Sequence, residues 1–157
     1  MLLASSQIAC AVKLGEPKPD IGTLDKLRNA LLSAKTIAYS NGASGEYIKN
    51  DLMSKLGIPE QMAGKLRQTT VMPVGEFIAS GAAQIGCQQL SELKEIEGIE
   101  LTGLIPQEVQ LTTPFFGAVF ANSKVPKQAK VLLLFLGSPV NAQALYEAGL
   151  IPVMGRN

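Results

Sequence analysis

The side chains that could do chemistry are unevenly supplied. The 157 residues include no histidine and two cysteines, Cys10 and Cys87. Zinc sites built on imidazole, tetrathiolate sites and every triad with a histidine base are therefore excluded. Gly42-Ala43-Ser44-Gly45-Glu46 comes near the Gly-x-Ser-x-Gly nucleophile elbow, but Glu46 stands where the last glycine belongs. Ser91-Glu92-Leu93-Lys94 matches the Ser-x-x-Lys string of penicillin-binding enzymes without the Ser-Asp-Asn or Lys-Thr-Gly elements that accompany it. No Gly-x-x-x-x-Gly-Lys phosphate loop is present. A general base would have to be a carboxylate such as Glu46 or Glu76, and both already have a reason to sit in the first turn of a helix. The sequence thus predicts no catalytic residue, no cofactor and no metal, and a chain that is not an enzyme.

Binding by neutral groups remains. Ser40 and Asn41 end a strand, and Ala43, Ser44 and Gly45 open a helix whose first N–H groups lack internal acceptors. Such a helix start holds an anion without a formal charge, because the macrodipole adds roughly half a unit of positive charge and glycine permits close approach. Val74 and Gly75 open a second helix after another strand, and the Gln88 and Gln89 amides end a third. Singly these are a capping serine, turn glycines and strand-end glutamines. Their convergence at the carboxyl edge of one sheet would make a crevice for a small oxyanion or other small polar ligand.

The elements that must position these groups follow from hydrophobic periodicity. Short apolar runs alternate with runs of helical period, the pattern of an α/β protein. Ile8–Val12 reads as a strand buried on both faces, and Thr23 as the cap of a helix with Leu24, Leu27 and Leu31 on one side. Ile37–Tyr39 is a second strand. It leads to a helix with Ser44 as cap, the stripe Ile48, Leu52 and Leu56, and a stop at Gly57 and Pro59. Leu66–Val71 is a third strand, Pro73 the first residue of a short helix, and Ala83–Cys87 a fourth strand that Gln88 and Gln89 end. Ile99–Ile105 and Phe115–Ala121 are further strand candidates, separated by a loop containing Pro106 and Pro114. Helices follow over Pro126–Leu136 and from Ser138 to Gly149. Residues 8–97 look like a self-contained unit. Residues 98–157 look like part of something else, because Phe115, Phe116, Phe120 and Val131–Leu136 offer more apolar surface than two strands and two helices can bury.

Net charge is +1, with 14 basic and 13 acidic side chains, which gives no electrostatic footprint for nucleic acid. The longest apolar run, Val131–Leu136, is far short of the roughly 20 residues of a membrane span, and Met1–Ala4 has no basic flank to mark a secretory signal. Cys10 and Cys87 each sit in an apolar stretch and read as buried reduced thiols.

Several of these strings together resemble the periplasmic solute-binding proteins of ABC transporters, in the molybdate-type branch of the two-lobed class. The resemblance rests on Lys35–Tyr47, with its strand, small-residue loop and Gly-x-Tyr helix start, and on Leu56-Gly57-Ile58. It continues through Ile85-Gly86 with Ser91-Glu92, Leu104-Ile105-Pro106, and Phe135-Leu136-x-Ser138-Pro139 ahead of Gly149. It implies a periplasmic-binding-protein-like fold, a mostly parallel sheet flanked by helices. Residues 8–97 would be the complete second lobe and residues 98–157 the return segment of an incomplete first lobe. It further implies a molybdate-like oxyanion held by Ser40, Asn41, Ala43, Ser44, Gly45, Val74, Gly75, Gln88 and Gln89, with Gln89 where molybdate binders present a tyrosine. An ABC permease would be the partner, and the compartment the periplasm, or the cytoplasm if the chain is naturally short. The apolar excess of 98–157 points to a homodimer. The alternative reading is a structural or interaction protein of the same fold that has lost its ligand.

Overall fold

The computed structural model describes residues 1–153. The chain divides into two compact units, one of residues Gln7–Leu111 and one that joins Met1–Ser6 to the described residues from Thr112 on. The first reaches beyond residue 97 because the strand after it pairs back into the same sheet. Among the described residues no helix is long and apolar enough to cross a membrane.

In the Gln7–Leu111 unit the strand order is β3-β2-β4-β1-β5, with β1 Leu2–Lys13, β2 Ile37–Ser40, β3 Leu66–Thr69, β4 Ile85–Gln89 and β5 Ile99–Leu104. β2 is parallel to both β3 and β4. The sheet is nevertheless mixed, since β1 runs antiparallel to β4 and to β5. The expectation of a mostly parallel sheet is corrected at β1. Its continuous apolar run marks burial on two faces, and burial carries no information about direction. The period of two is plain in the packing. Ile8, Cys10 and Val12 join one core with Ile37, Tyr39, Ile85 and Cys87, whereas Ala9, Ala11 and Ala38 face the other.

Helix α1, Leu24–Ser33, is capped by the Thr23 hydroxyl, which accepts from the Lys26 N–H, and buries Leu27 and Leu31 against the first core. The next helical stretch starts as α2, Ala43–Glu46, widens into a π-helical turn over Tyr47–Leu52 and ends as α3, Met53–Lys55. Ile48, Leu52 and Leu56 form the expected stripe, and Gly57 at φ +67° ends it in a conformation that a side chain disfavours. The cap is Gly42, however, and Ser44 lies within the first turn. The helix starts early because Gly45 packs directly on the strand it follows. A Cβ there would fall 1.7 Å from the Ser40 carbonyl oxygen.

On the other face α4, Val74–Ala79, begins after Pro73, which is its cap rather than its first residue. It lies on β4 at Gly86, where a Cβ would meet Ile78 at 2.7 Å and Val74 at 2.9 Å. Helix α5, Leu90–Leu93, follows β4 with Gln89 as its cap. β4 continues through both glutamines instead of ending before them. β5 pairs with β1 across a bulge at Cys10 and Ala11, with Gly103 at φ +125° beside it. A short 3-10 turn, Gln107–Val109, then brings in Gln110. Its Oε1 accepts from the Ile8 and Leu111 N–H groups, and its Nε2 donates to the Ile8 and Ile105 carbonyls.

Cys10 and Cys87 are direct partners in the β1–β4 register, with Cα atoms 4.0 Å apart, and they form a disulfide. This corrects the expectation of reduced thiols. Two cysteines 77 residues apart in sequence carry no sign of pairing until the antiparallel register sets them side by side.

In the other unit β6, Thr112–Phe116, and β7, Ile151–Pro152, both pair with the beginning of β1. Ala4 and Ser5 stand opposite Pro152 and Ile151. β6 lies earlier than the Phe115–Ala121 strand expected and includes Pro114. Helix α6, Pro126–Leu136, matches its expected limits but buries none of its residues. A 3-10 turn over Pro139–Asn141 leads into α7, Ala142–Glu147. Leu3 and Leu133 meet at Gly117, whose N–H and carbonyl both bond to Met1.

Candidate functional site

Because β2 runs parallel to β3 and β4, three strands finish on the same edge of the Gln7–Leu111 sheet. Ser40 at the end of β2 is paired with Thr69 at the end of β3, and β4 finishes at Gln88 and Gln89. Open α/β sheets bind ligands in the crevice beyond such carboxyl ends. A crevice of about 410 Å³ lies there. β2 contributes Ser40 and, one residue on, Asn41; β3 contributes Thr69 and the following Thr70. Val71, Met72, Pro73 and Val74 form the lip that leads into α4. The remaining wall is Gln88 of β4, Glu92 of α5 and Ile96 beyond it.

Four residues expected from the sequence, Ser40, Asn41, Val74 and Gln88, line this crevice. Ala43, Ser44, Gly45, Gly75 and Gln89 are not among its lining residues. The Ser44 hydroxyl is buried and lies 3.5 Å from the Ser40 hydroxyl, which also accepts from the Gly42 N–H. Gly45 presses on β2, and Gly75 lies against Ile96, 2.7 Å from where its Cβ would be. Gln89 is buried at the strand end. Thr69, Thr70, Glu92 and Ile96 were not singled out as site residues. The two threonines are hydroxyls at a strand end like Ser40, so the same rule could have found them. Glu92 entered the sequence reading in the Ser-x-x-Lys string and in the Ser91-Glu92 pair of the resemblance, in neither case as a site residue.

The crevice surface is mostly uncharged. Hydroxyls and amides from Ser40, Asn41, Thr69, Thr70 and Gln88 surround it, and Glu92 is the one titratable side chain among its lining residues. Gln88 is 8% exposed; its Nε2 donates to the Glu92 carboxylate, while its Oε1 is buried without a hydrogen-bond partner. Glu92 stands at the rim, reachable from solvent. Partial withdrawal of its carboxyl from water raises its pKa above the ordinary glutamate value. Among the described residues, no three carboxylates or thiols converge in a way that could hold a metal ion.

Over 151 residues the chain is 42% identical to a Pseudomonas sp. protein named aconitate isomerase, covering 96% of this chain and 58% of that one. The chain thus spans little more than half the length of this relative. Among solved structures it resembles the substrate-binding domain assigned to a molybdenum ABC transporter of Clostridium difficile. There the TM-score is 0.74 at 19% identity, over 98% of this chain and 66% of that one. It also resembles the periplasmic molybdate-binding protein of Azotobacter vinelandii, with a TM-score of 0.65 at 16% identity, over 99% of this chain and 68% of that one. At those identities the likeness is one of fold, and the molybdate branch is not distinguished by it. The expectation of a chain that is not an enzyme is overturned by the isomerase, since a relative this similar carries the name of an activity. The absence of histidine removes imidazole bases and leaves carboxylate bases available. The model of the bacterial extracellular solute-binding protein family matches residues 2–151, and the chain belongs to that family.

Proposed function

We propose that the crevice at the ends of β2, β3 and β4 binds a small unsaturated polycarboxylate and that the chain belongs to an isomerase acting on it, with aconitate as substrate. The observation that carries this reading is the 42% identity to the protein named aconitate isomerase over nearly the whole of this chain. The lining supports it: neutral hydroxyl and amide donors suit a ligand whose charges are spread over several carboxylates. The substrate's own chemistry states the task. Aconitate carries a methylene group between a carboxylate and a carbon–carbon double bond, and loss of one proton from that carbon gives an allylic carbanion delocalised toward the carboxylates. Return of the proton to the far end of the three-carbon unit shifts the double bond. Nothing is oxidised or reduced, so the protein must bind, orient and carry one proton.

In this reading the Gln7–Leu111 unit is one complete lobe, and the unit with β6, β7, α6 and α7 is part of a second. The Cys10–Cys87 disulfide suits an oxidising compartment outside the cytoplasm, in keeping with the family's description. Interconversion of cis- and trans-aconitate by the purified chain, followed by proton NMR, tests the proposal. Conversion, with a rise in melting temperature given by either isomer, supports it. A thermal shift with molybdate or tungstate and none with aconitate would overturn it in favour of an oxyanion carrier for an ABC permease.

A further inference from the structure

We infer that Glu92 is the group that carries the proton in this crevice, with the Gln88 amide holding its carboxylate in place; the inference rests on the isomerase reading. An isomerisation through an allylic carbanion needs one base that can also return the proton as an acid. Serine, threonine, asparagine and glutamine side chains cannot do this near neutral pH, and Glu92 is the one titratable side chain among the residues lining the crevice. Glu46, which the sequence offers as a base, is not among those residues, and neither is Glu76.

Geometry fits the role. The Gln88 Nε2 donates to Glu92 Oε2, a bond that does not engage Oε1 of the carboxylate, and Glu92 lines the crevice. Gln88 itself is more than nine-tenths buried, and its orientation is fixed by the strand that ends there. Its own Oε1 has no hydrogen-bond partner, an acceptor left over in a wall otherwise rich in hydroxyls. Partial desolvation keeps Glu92 a stronger base than a carboxylate in water. The step balances. The Glu92 carboxylate takes a proton from the methylene carbon as that C–H bond breaks and an O–H bond forms, and the electron pair spreads over three carbons and the adjoining carboxylates. The resulting Glu92 acid gives the same proton to the other terminal carbon, a C–H bond forms there, and the carboxylate is regenerated.

The test compares wild type with Glu92→Gln and Glu92→Asp, using trans-aconitate in deuterium oxide. Interconversion and deuterium entry at the carbon-bound positions are read by NMR, and binding by thermal shift. The expected result is that Glu92→Gln keeps the thermal shift given by trans-aconitate but loses about 10²–10⁴-fold in both NMR rates. Glu92→Asp, one methylene shorter, should retain a measurable part of both. Full deuterium entry and conversion by Glu92→Gln would overturn the inference while leaving the isomerase reading intact. No conversion by wild type would overturn that reading and this inference with it.

Discussion

Glu92 is placed against the interest of stability, and that is measurable. Its pKa in the folded chain lies above the unfolded value near 4.5. The carboxyl therefore contributes stability fully below about pH 4.5 and loses that contribution as pH rises through the folded value. At neutral pH the ionised group is held partly out of water at a net cost. Glu92→Gln has no charge to desolvate and still accepts from Gln88. We expect it to be more stable than wild type at pH 7, by less than about 1 kcal/mol because the rim is wet, with the difference vanishing by pH 4. Urea denaturation at the two values measures it, and a variant less stable at pH 7 would contradict the sign. Gly45 is the opposite case, a residue whose type is fixed by packing. An added methyl would meet the Ser40 carbonyl oxygen at 1.7 Å, and neither backbone can yield without moving the other. Gly45→Ala is expected to cost about 3 kcal/mol, read as a lower denaturation midpoint. At this scale the sequence was partly legible. It marked the Ser40–Gly45 segment as special, but the close packing of Gly45 on Ser40 and the burial of Ser44 had no marker in it. It passed over Glu92, which stood in a four-residue Ser-x-x-Lys string that arises by chance, and named Glu46 and Glu76 as the carboxylates to consider.

Among the elements, β1 and β4 show most clearly what a sequence pattern contains and what it lacks. The run Ile8–Val12 identifies a doubly buried strand, and the alternation of its side chains between two cores follows from the pleat. Neither the antiparallel direction nor the register is written in that run, and the disulfide depends on both. The helix from Ala43 to Lys55 was legible in its stripe and its glycine stop, while the π-helical turn within it had no marker in composition. Closing a loop of 77 residues, the Cys10–Cys87 bond limits the unfolded chain. Replacing both cysteines with alanine is expected to cost about 4 kcal/mol. Equilibrium denaturation of oxidised wild type and the double variant, without reductant, measures the difference, and a loss below 1 kcal/mol would show that the covalent link contributes little. A second element-level test concerns Gln110, whose side chain makes four hydrogen bonds where β1 meets the end of β5. Gln110→Leu leaves the Ile8 N–H and the Ile105 carbonyl without that partner, and a loss of about 2 kcal/mol is expected. Gln110→Glu, which keeps an acceptor for the Ile8 N–H, should lose less at pH 4 than at pH 7, because only the protonated carboxyl can also donate.

For the molecule as a whole, the unequal burial of the two units is the fact to account for. The Gln7–Leu111 unit has cores on both faces of its sheet. In the other unit no residue of α6 is fully buried, and Phe116, Phe120, Val131, Leu134 and Phe135 are each more than half exposed. The sequence announced this surplus through the apolar texture after residue 98, since counting apolar side chains against the elements able to cover them needs no coordinates. What it could not supply is the covering surface, because a partner leaves no trace in the period of the helix that meets it. The stability of the chain at low concentration should therefore ignore this face. Leu134→Gln with Phe135→Ser is expected to change the unfolding free energy at sub-micromolar concentration by less than about 0.5 kcal/mol, as for ordinary surface positions. At tens of micromolar the two forms should part. Wild type should associate through the face and unfold at a temperature that rises with concentration, while the double variant stays monomeric and unfolds at one temperature throughout. Light scattering and thermal unfolding across that range decide it. Identical, concentration-independent behaviour of the two proteins would show that copies of this chain do not cover the face.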